Sequence, residues 1–162
     1  MKKCTECNAV LSSRRGPHVY DPNGIRVTLL DVVHNDCEVC GYSGVEIPGI
    51  LSLQRAIAND IVCHPGQIEP AEIRFLRKFL GLSSQALADR MGVDKATVSR
   101  WENGKQPFGA QAERLLRVLV RFTEPVTDYS TDFLAAVRKP GAMPRTSQYQ
   151  RDGKSWGARE AN

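Results

Sequence analysis

No stretch of this chain approaches the roughly 18 consecutive apolar residues that a membrane-crossing helix needs, so no membrane association is expected. The N-terminus, Met1-Lys2-Lys3-Cys4, lacks the apolar core of a secretory signal, which makes the cytoplasm the expected location. There is no Ser-His-Asp set, paired-carboxylate motif, phosphate-cradling glycine loop or open metal site, so no catalytic residue is expected and the chain reads as a non-enzyme. Internal repeats are missing too. The chain also has little net charge where a nucleic-acid-binding protein would show it. From Arg138 onward six Lys/Arg face two acids, which accounts for the whole net charge of +4. Residues 1–137 are neutral, so overall basicity says little about the core, and local charge has to carry any argument for DNA.

What the chain does have is cysteine in pairs. Cys4-x-x-Cys7 and Cys37-x-x-Cys40 are two C-x2-C turns bracketing a segment with few large apolar residues. Two residues between cysteines let a tight turn aim both sulfurs at one point, and the intervening residues fit a hairpin that brings the second turn back to the first. Four thiolates suit one redox-silent, tetrahedral Zn²⁺ of structural type, with no position left open for water. A module this small needs such a staple because its apolar core is thin. His18, His34 and His64 are the other candidate ligands; His34 stands only three residues before Cys37. Cys63 falls in a linker and reads as a bystander.

Along the chain, residues 1–49 read as a β-rich zinc-binding module. The turn signal Asp21-Pro22-Asn23-Gly24 precedes the β-branched run from Ile25 to Val33, and Gly41 suits the positive φ that ends a cysteine turn. Residues 50–66 form a connecting segment, with apolar residues at 50, 53, 57 and 61 marking an amphipathic helix. Residues 67–137 read as helical throughout. Pro70 suits a first helical position, and Ile73, Leu76, Phe79 and Leu80 line one face up to Gly81. Ser83 caps a second helix ended by Gly92, and Asp94 caps a third ended by Gly104. A fourth spans about Gly109 to Phe122, where Arg114, Arg117 and Arg121 beside the leucines suggest a two-fold interface. A fifth is expected over residues 127–137. The basic tail, residues 138–162, is rich in Gly, Pro, Ser and Gln; it is expected to be disordered and to add at most a non-specific, salt-dependent attraction to phosphate. The fold class is therefore α+β: a small β-rich zinc module plus an all-α five-helix domain.

Three short helices separated by Gly81-Leu82-Ser83 and Gly92-Val93-Asp94 have the arrangement that lays one helix in the DNA major groove. With Val98 and Trp101 turned inward, Lys95, Ala96, Thr97, Ser99 and Arg100 face outward. Ser83, Ser84, Asn103 and Lys105 complete the set of candidate DNA-contacting residues. The segment R-K-F-L-G-L-S-S-Q-A-L-A-D-R-M-G-V-D-K-A-T-V-S-R-W-E-N-G-K-Q-P, from Arg77 to Pro107, resembles the Cro/repressor-type (XRE) helix-turn-helix. That resemblance implies a structural ion pair between Arg77 and Glu102, and a dimer on paired half-sites. The family often has Gln at the starts of its second and third helices; Ser84 and Lys95 stand there in this chain.

Taken with the cysteine pairs, residues 4–122 resemble the MqsA-type antitoxins, in which a YgiT-type zinc finger precedes the helix-turn-helix. This resemblance implies a zinc module that binds a toxin ribonuclease through residues 1–49, and a homodimer that represses its own operon by binding double-stranded operator DNA. Arg100 stands at the family's base-reading Arg, whereas Ala96 stands where the family has Asn, so the operator sequence is expected to differ. The alternative is a stand-alone XRE-type regulator whose zinc finger is structural and has no toxin partner.

Overall fold

The computed structural model describes residues 2–123 and 147–159, which divide into two units. Among these residues one unit comprises 2–20, 26–53 and 147–159, and the other comprises 21–25 and 54–123.

The first unit is built on a five-stranded sheet. β1 (Ser12–Tyr20) and β2 (Val27–Asp36) form an antiparallel hairpin. Between them Asn23 and Gly24 adopt φ of 66° and 94°, the left-handed backbone that these two residue types tolerate best. The pairing slips between Gly16 and His18, so that Leu30 and Asp31 together oppose Pro17. Proline has no N–H to give to a ladder and is at home in such a bulge. The slip moves the inward face of β2 from Val27 and Leu29 to Val32 and His34, all of them buried. β3 (Ser43–Glu46) pairs antiparallel with the end of β2, and β4 (Ser147–Asp152) pairs parallel with its start. β5 (Ser155–Arg159) closes the order β1-β2-β4-β5.

β4 and β5 correct the expectation of a disordered tail: residues 147–159 are a sheet hairpin. Its apolar content is small but well placed. Tyr149 and Trp156 lie on the same face of the ribbon, are both buried, and Trp156 donates its indole N–H to the Pro48 carbonyl at 3.0 Å. Gly153, at φ 57°, opens the two-residue turn. Composition hid this hairpin because two aromatics among Gly, Ser and Gln average out as polar. The signal was there in a Gly-led two-residue loop between short runs each carrying one aromatic. The helix expected over 127–137 and the tail residues 138–146 lie outside the described residues.

The chain passes into the second unit along α1 (Ile50–Cys63), whose buried face is Leu53, Ile57, Ala58, Ile61 and Val62. Four shorter helices follow: α2 (Pro70–Phe79), α3 (Ser84–Met91), α4 (Lys95–Glu102) and α5 (Ala110–Arg121). Their boundaries have local causes. Pro70 starts α2, where a missing N–H costs nothing. The Ser83 hydroxyl accepts from the Ala86 amide at 3.0 Å to cap α3, and Gly92 ends α3 at φ 66°. The core is Ile73, Phe75, Leu76, Leu87, Ala88, Val98, Trp101, Phe108, Leu116 and Val120, with the Trp101 and Phe108 rings edge-to-face at 5.0 Å.

One residue departs from its expected place. Arg117 is not on an interface face of α5 but is 1% exposed, making it the largest fully buried side chain. Its guanidinium donates to Glu113 Oε1 at 2.6 Å, to the Val62 and His64 carbonyls at 2.6 and 2.8 Å, and to the Gly66 carbonyl. It thereby gathers the backbone carbonyls released where α1 ends. Five donors in a planar fork suit this task better than an ammonium would. Truncating Arg117 leaves the buried Glu113 charge and these carbonyls without a partner. Arg117→Ala is therefore expected to destabilise the helical unit by about 3–5 kcal/mol in chemical denaturation; a loss below about 1 kcal/mol would mean the buried cluster is not what ties the linker down.

Candidate nucleic-acid interface and candidate metal centre

The α3–turn–α4 segment is arranged by short-range chemistry. The Val93 amide reaches the Ala88 carbonyl at 3.0 Å across the Gly92 turn. Ala88 is fully buried, as the close approach of α3 and α4 requires. Asp94 then caps α4, accepting from the Thr97 amide at 2.8 Å and from its hydroxyl at 2.9 Å. These two bonds, the hydroxyl's first, hold the Asp94 carboxyl below its ordinary range, and Arg100 adds to the effect. An ionised cap at the positive end of the helix dipole is stabilising.

α4 is held from behind by its apolar face and by one ion pair. Val98 and Trp101 are buried, and Glu102 is buried beside them. Arg77 donates through Nε and Nη2 to the two carboxylate oxygens of Glu102, and through Nη1 to the Leu82 carbonyl at 2.9 Å. Arg74 adds a bond to the Glu102 carbonyl at 2.8 Å and another to Asn103 Oδ1 at 3.1 Å. α2 thus grips the C-terminal end of α4 at both side chain and backbone.

The candidate DNA-contacting residues fall into three groups. Lys95, Ala96, Ser99 and Arg100 are exposed on one side of α4, and Lys105 is exposed just beyond it. Ser83 is exposed at the α3 cap and Ser84 is half-buried in the first turn. Thr97 and Asn103 are already engaged. The Thr97 hydroxyl is given to Asp94, and Asn103 Nδ2 donates to the Ser99 carbonyl at 2.7 Å, closing the end of α4. No helix among the described residues is long and apolar enough to cross a membrane.

The two cysteine turns are near-copies of each other. In the first, the Cys4 amide bonds the Ala9 carbonyl at 2.8 Å and the Asn8 amide bonds the Cys4 carbonyl at 3.0 Å. In the second, Cys37 and Tyr42 repeat the former bond at 2.8 Å, and Gly41 and Cys37 the latter at 3.0 Å. Asn8 and Gly41, each directly after a C-x2-C pair, both have positive φ, at 63° and 74°. Gly41 is legible in sequence for this role; Asn8 is the less obvious equivalent, and its tolerance of left-handed backbone is the signal.

All four sulfurs lie within 4.8 Å of one another, with Cys4 to Cys40 at 3.6 Å and Cys7 to Cys37 at 3.4 Å. Sulfurs each about 2.3 Å from one tetrahedral ion would be about 3.8 Å apart, so the donor set fits a zinc site. The Cys40 amide, against the effect of burial and aided by the Val39 amide, draws the Cys37 thiol down to about 7, toward the thiolate that a metal binds. Cys4 and Cys37 are buried, and Cys7 and Cys40 are exposed. His34 is outside this cluster: its Nε2 meets the Pro17 carbonyl at 3.2 Å and its ring lies edge-on to His18. Neither His64 nor Cys63 belongs to the four-sulfur group.

Comparison with known proteins agrees with the helical unit. Residues 73–119 match the family model described as Helix-turn-helix, less than a third of the chain, from α2 into α5. The match supports a DNA-binding regulatory domain of the Cro/repressor type. No curated protein and no solved structure matches the chain.

Proposed function

We propose that the protein is a sequence-specific transcriptional repressor that reads duplex operator DNA with α4 as a cytoplasmic homodimer. The observation that carries this reading is the division of α4 into two sides. Val98 and Trp101 are held inward with Glu102, and Lys95, Ala96, Ser99 and Arg100 are left on an exposed side that opens from a capped N-terminus. The first turns of such a helix meet base edges, and neighbouring N-termini hold phosphates. In this reading Arg100 reads a base, with Ala96, Thr97 and Ser99 beside it. Ser83, Ser84, Lys95 and Lys105 contact the phosphate backbone, and Asn103 acts mainly by ending the helix. Leu115 and Phe122, exposed on α5, favour a second copy as the partner of that face.

The cysteine-bearing unit holds one structural Zn²⁺ through Cys4, Cys7, Cys37 and Cys40. The order of zinc finger and helix-turn-helix resembles the MqsA-type antitoxins, which supports a type II antitoxin that represses its own operon and neutralises a toxin ribonuclease through the N-terminal module. A stand-alone regulator would share every feature except the toxin. Mixing the full chain with the product of a neighbouring ribonuclease gene separates the two. A stoichiometric complex that silences the ribonuclease supports the antitoxin, and an unaffected ribonuclease supports the regulator.

Two further outcomes are expected. Arg100→Ala should weaken operator binding by about 1–3 kcal/mol and relax the preference at one base position, measured by fluorescence anisotropy; an unchanged operator affinity would remove Arg100 from the reading set. A strong chelator should melt the sheet unit while far-UV circular dichroism retains the helical signal. Helices lost at the same chelator concentration would mean that the two units do not fold independently.

A further inference from the structure

We infer that the C-terminal hairpin, β4–β5, is a second nucleic-acid contact that grips the phosphate backbone of duplex DNA. It is carried by the sheet unit and is separate from the helix-turn-helix. The inference rests on the DNA-binding reading above and extends it to the other unit.

The argument begins with charge pairing in the sheet unit. Lys2, Arg14 and Arg15 are each held by a carboxylate, from Glu46, Asp36 and Asp31 respectively. The hairpin is different. Arg151, Lys154 and Arg159 are all exposed, and among the described residues none has an ion-pair or hydrogen-bond partner. Asp152 is the one acid within residues 147–159, so this ribbon carries a net +2 over thirteen residues. A protein of this size gains little from leaving three long cations unpaired on one ordered ribbon unless a polyanion pairs them.

The ribbon also holds these cations in place. By strand register, Tyr149 and Trp156 lie on one face and are buried, which anchors the hairpin to the sheet. Gln148, Gln150, Ser155 and Arg159 lie on the opposite face, around Gly157, whose missing side chain leaves that face low. A shallow depression of about 330 Å³ there is lined by Gln150, Ser155, Gly157 and Arg159, with Asp152 at its margin. Amide, hydroxyl and guanidinium groups on a rigid strand pair are the donors that phosphate oxygens accept from. Lys154 sits at the turn, beyond the end of the ladder, where it can reach a neighbouring phosphate. The chemistry contains no apolar wedge and no base-reading pattern, so it fits backbone contact independent of sequence. An acidic protein surface is the competing partner, and the experiment distinguishes it.

The test uses the full zinc-loaded chain, a duplex from its own promoter, and an unrelated duplex of equal length, with affinity measured across a series of salt concentrations. Arg151→Ala/Lys154→Ala/Arg159→Ala should weaken binding to both duplexes by the same factor. It should also lower the slope of log affinity against log salt by about 2–3, at about 0.9 per phosphate released. Arg151→Lys/Lys154→Arg/Arg159→Lys keeps the charges and should retain the wild-type slope. If the alanine variant keeps both affinity and slope while the parent binds DNA, the hairpin does not touch DNA, the result an acidic protein partner would give. A change of preference between the duplexes, or equal loss in the charge-keeping variant, also overturns the inference. A parent chain that ignores every duplex at low salt sinks the DNA-binding reading itself, and that result is distinct from all the others.

Discussion

The buried pair of Arg77 and Glu102 sets where α4 points. Glu102 ends the helix whose outer side is the candidate reading surface, and both of its carboxylate oxygens are taken by one guanidinium from α2. Two parallel bonds to a planar fork restrict rotation as well as distance. Arg74 adds the backbone end of the same turn. With Val98 and Trp101 packed behind it, α4 cannot roll to bury Arg100 or Lys95 without breaking this grip. A reading helix eight residues long has little rigidity of its own, so its orientation has to come from what it is bolted to.

The same device, a buried guanidinium serving backbone as well as carboxylate, recurs at Arg117. There it collects the carbonyls freed at the end of α1 and the linker that follows. Helix ends and linkers are where a small domain has unsatisfied polar groups to cover, and arginine can serve several at once. The sheet unit meets its own shortage differently. Its apolar core is thin, and its two cysteine turns repeat one hydrogen-bond pattern so that four sulfurs converge from segments thirty residues apart. A metal bridging them would do for that unit what packed side chains do for the helical one.

The two units thereby offer different chemistry to partners. The helical unit presents a narrow polar stripe suited to base edges. The sheet unit presents cysteine turns with exposed Glu6 and Glu38 among them, and a basic hairpin built from a distant part of the sequence. Joining β4 parallel to β2 brings residues 147–159 into a sheet begun by residues 12–46, so the unit is complete only when both parts of the chain are present.

Features governed by neighbours in the chain were open to reading from the sequence alone. The caps Ser83 and Asp94, the Gly92 stop, the Asn23-Gly24 reversal, the periodicity of α1 and the two C-x2-C turns each depend on a few adjacent residues and on steric rules that hold in any fold. Long-range pairing was not open to such reading. Arg117 looked like a surface or interface residue because its partners are backbone carbonyls more than fifty positions away, and carbonyls carry no mark in a sequence. The hairpin at 147–159 looked disordered because its order comes from two aromatics meeting a sheet edge over a hundred residues distant. Local conformation is a property of short sequence; burial is a property of what arrives from elsewhere, and only the folded chain decides that.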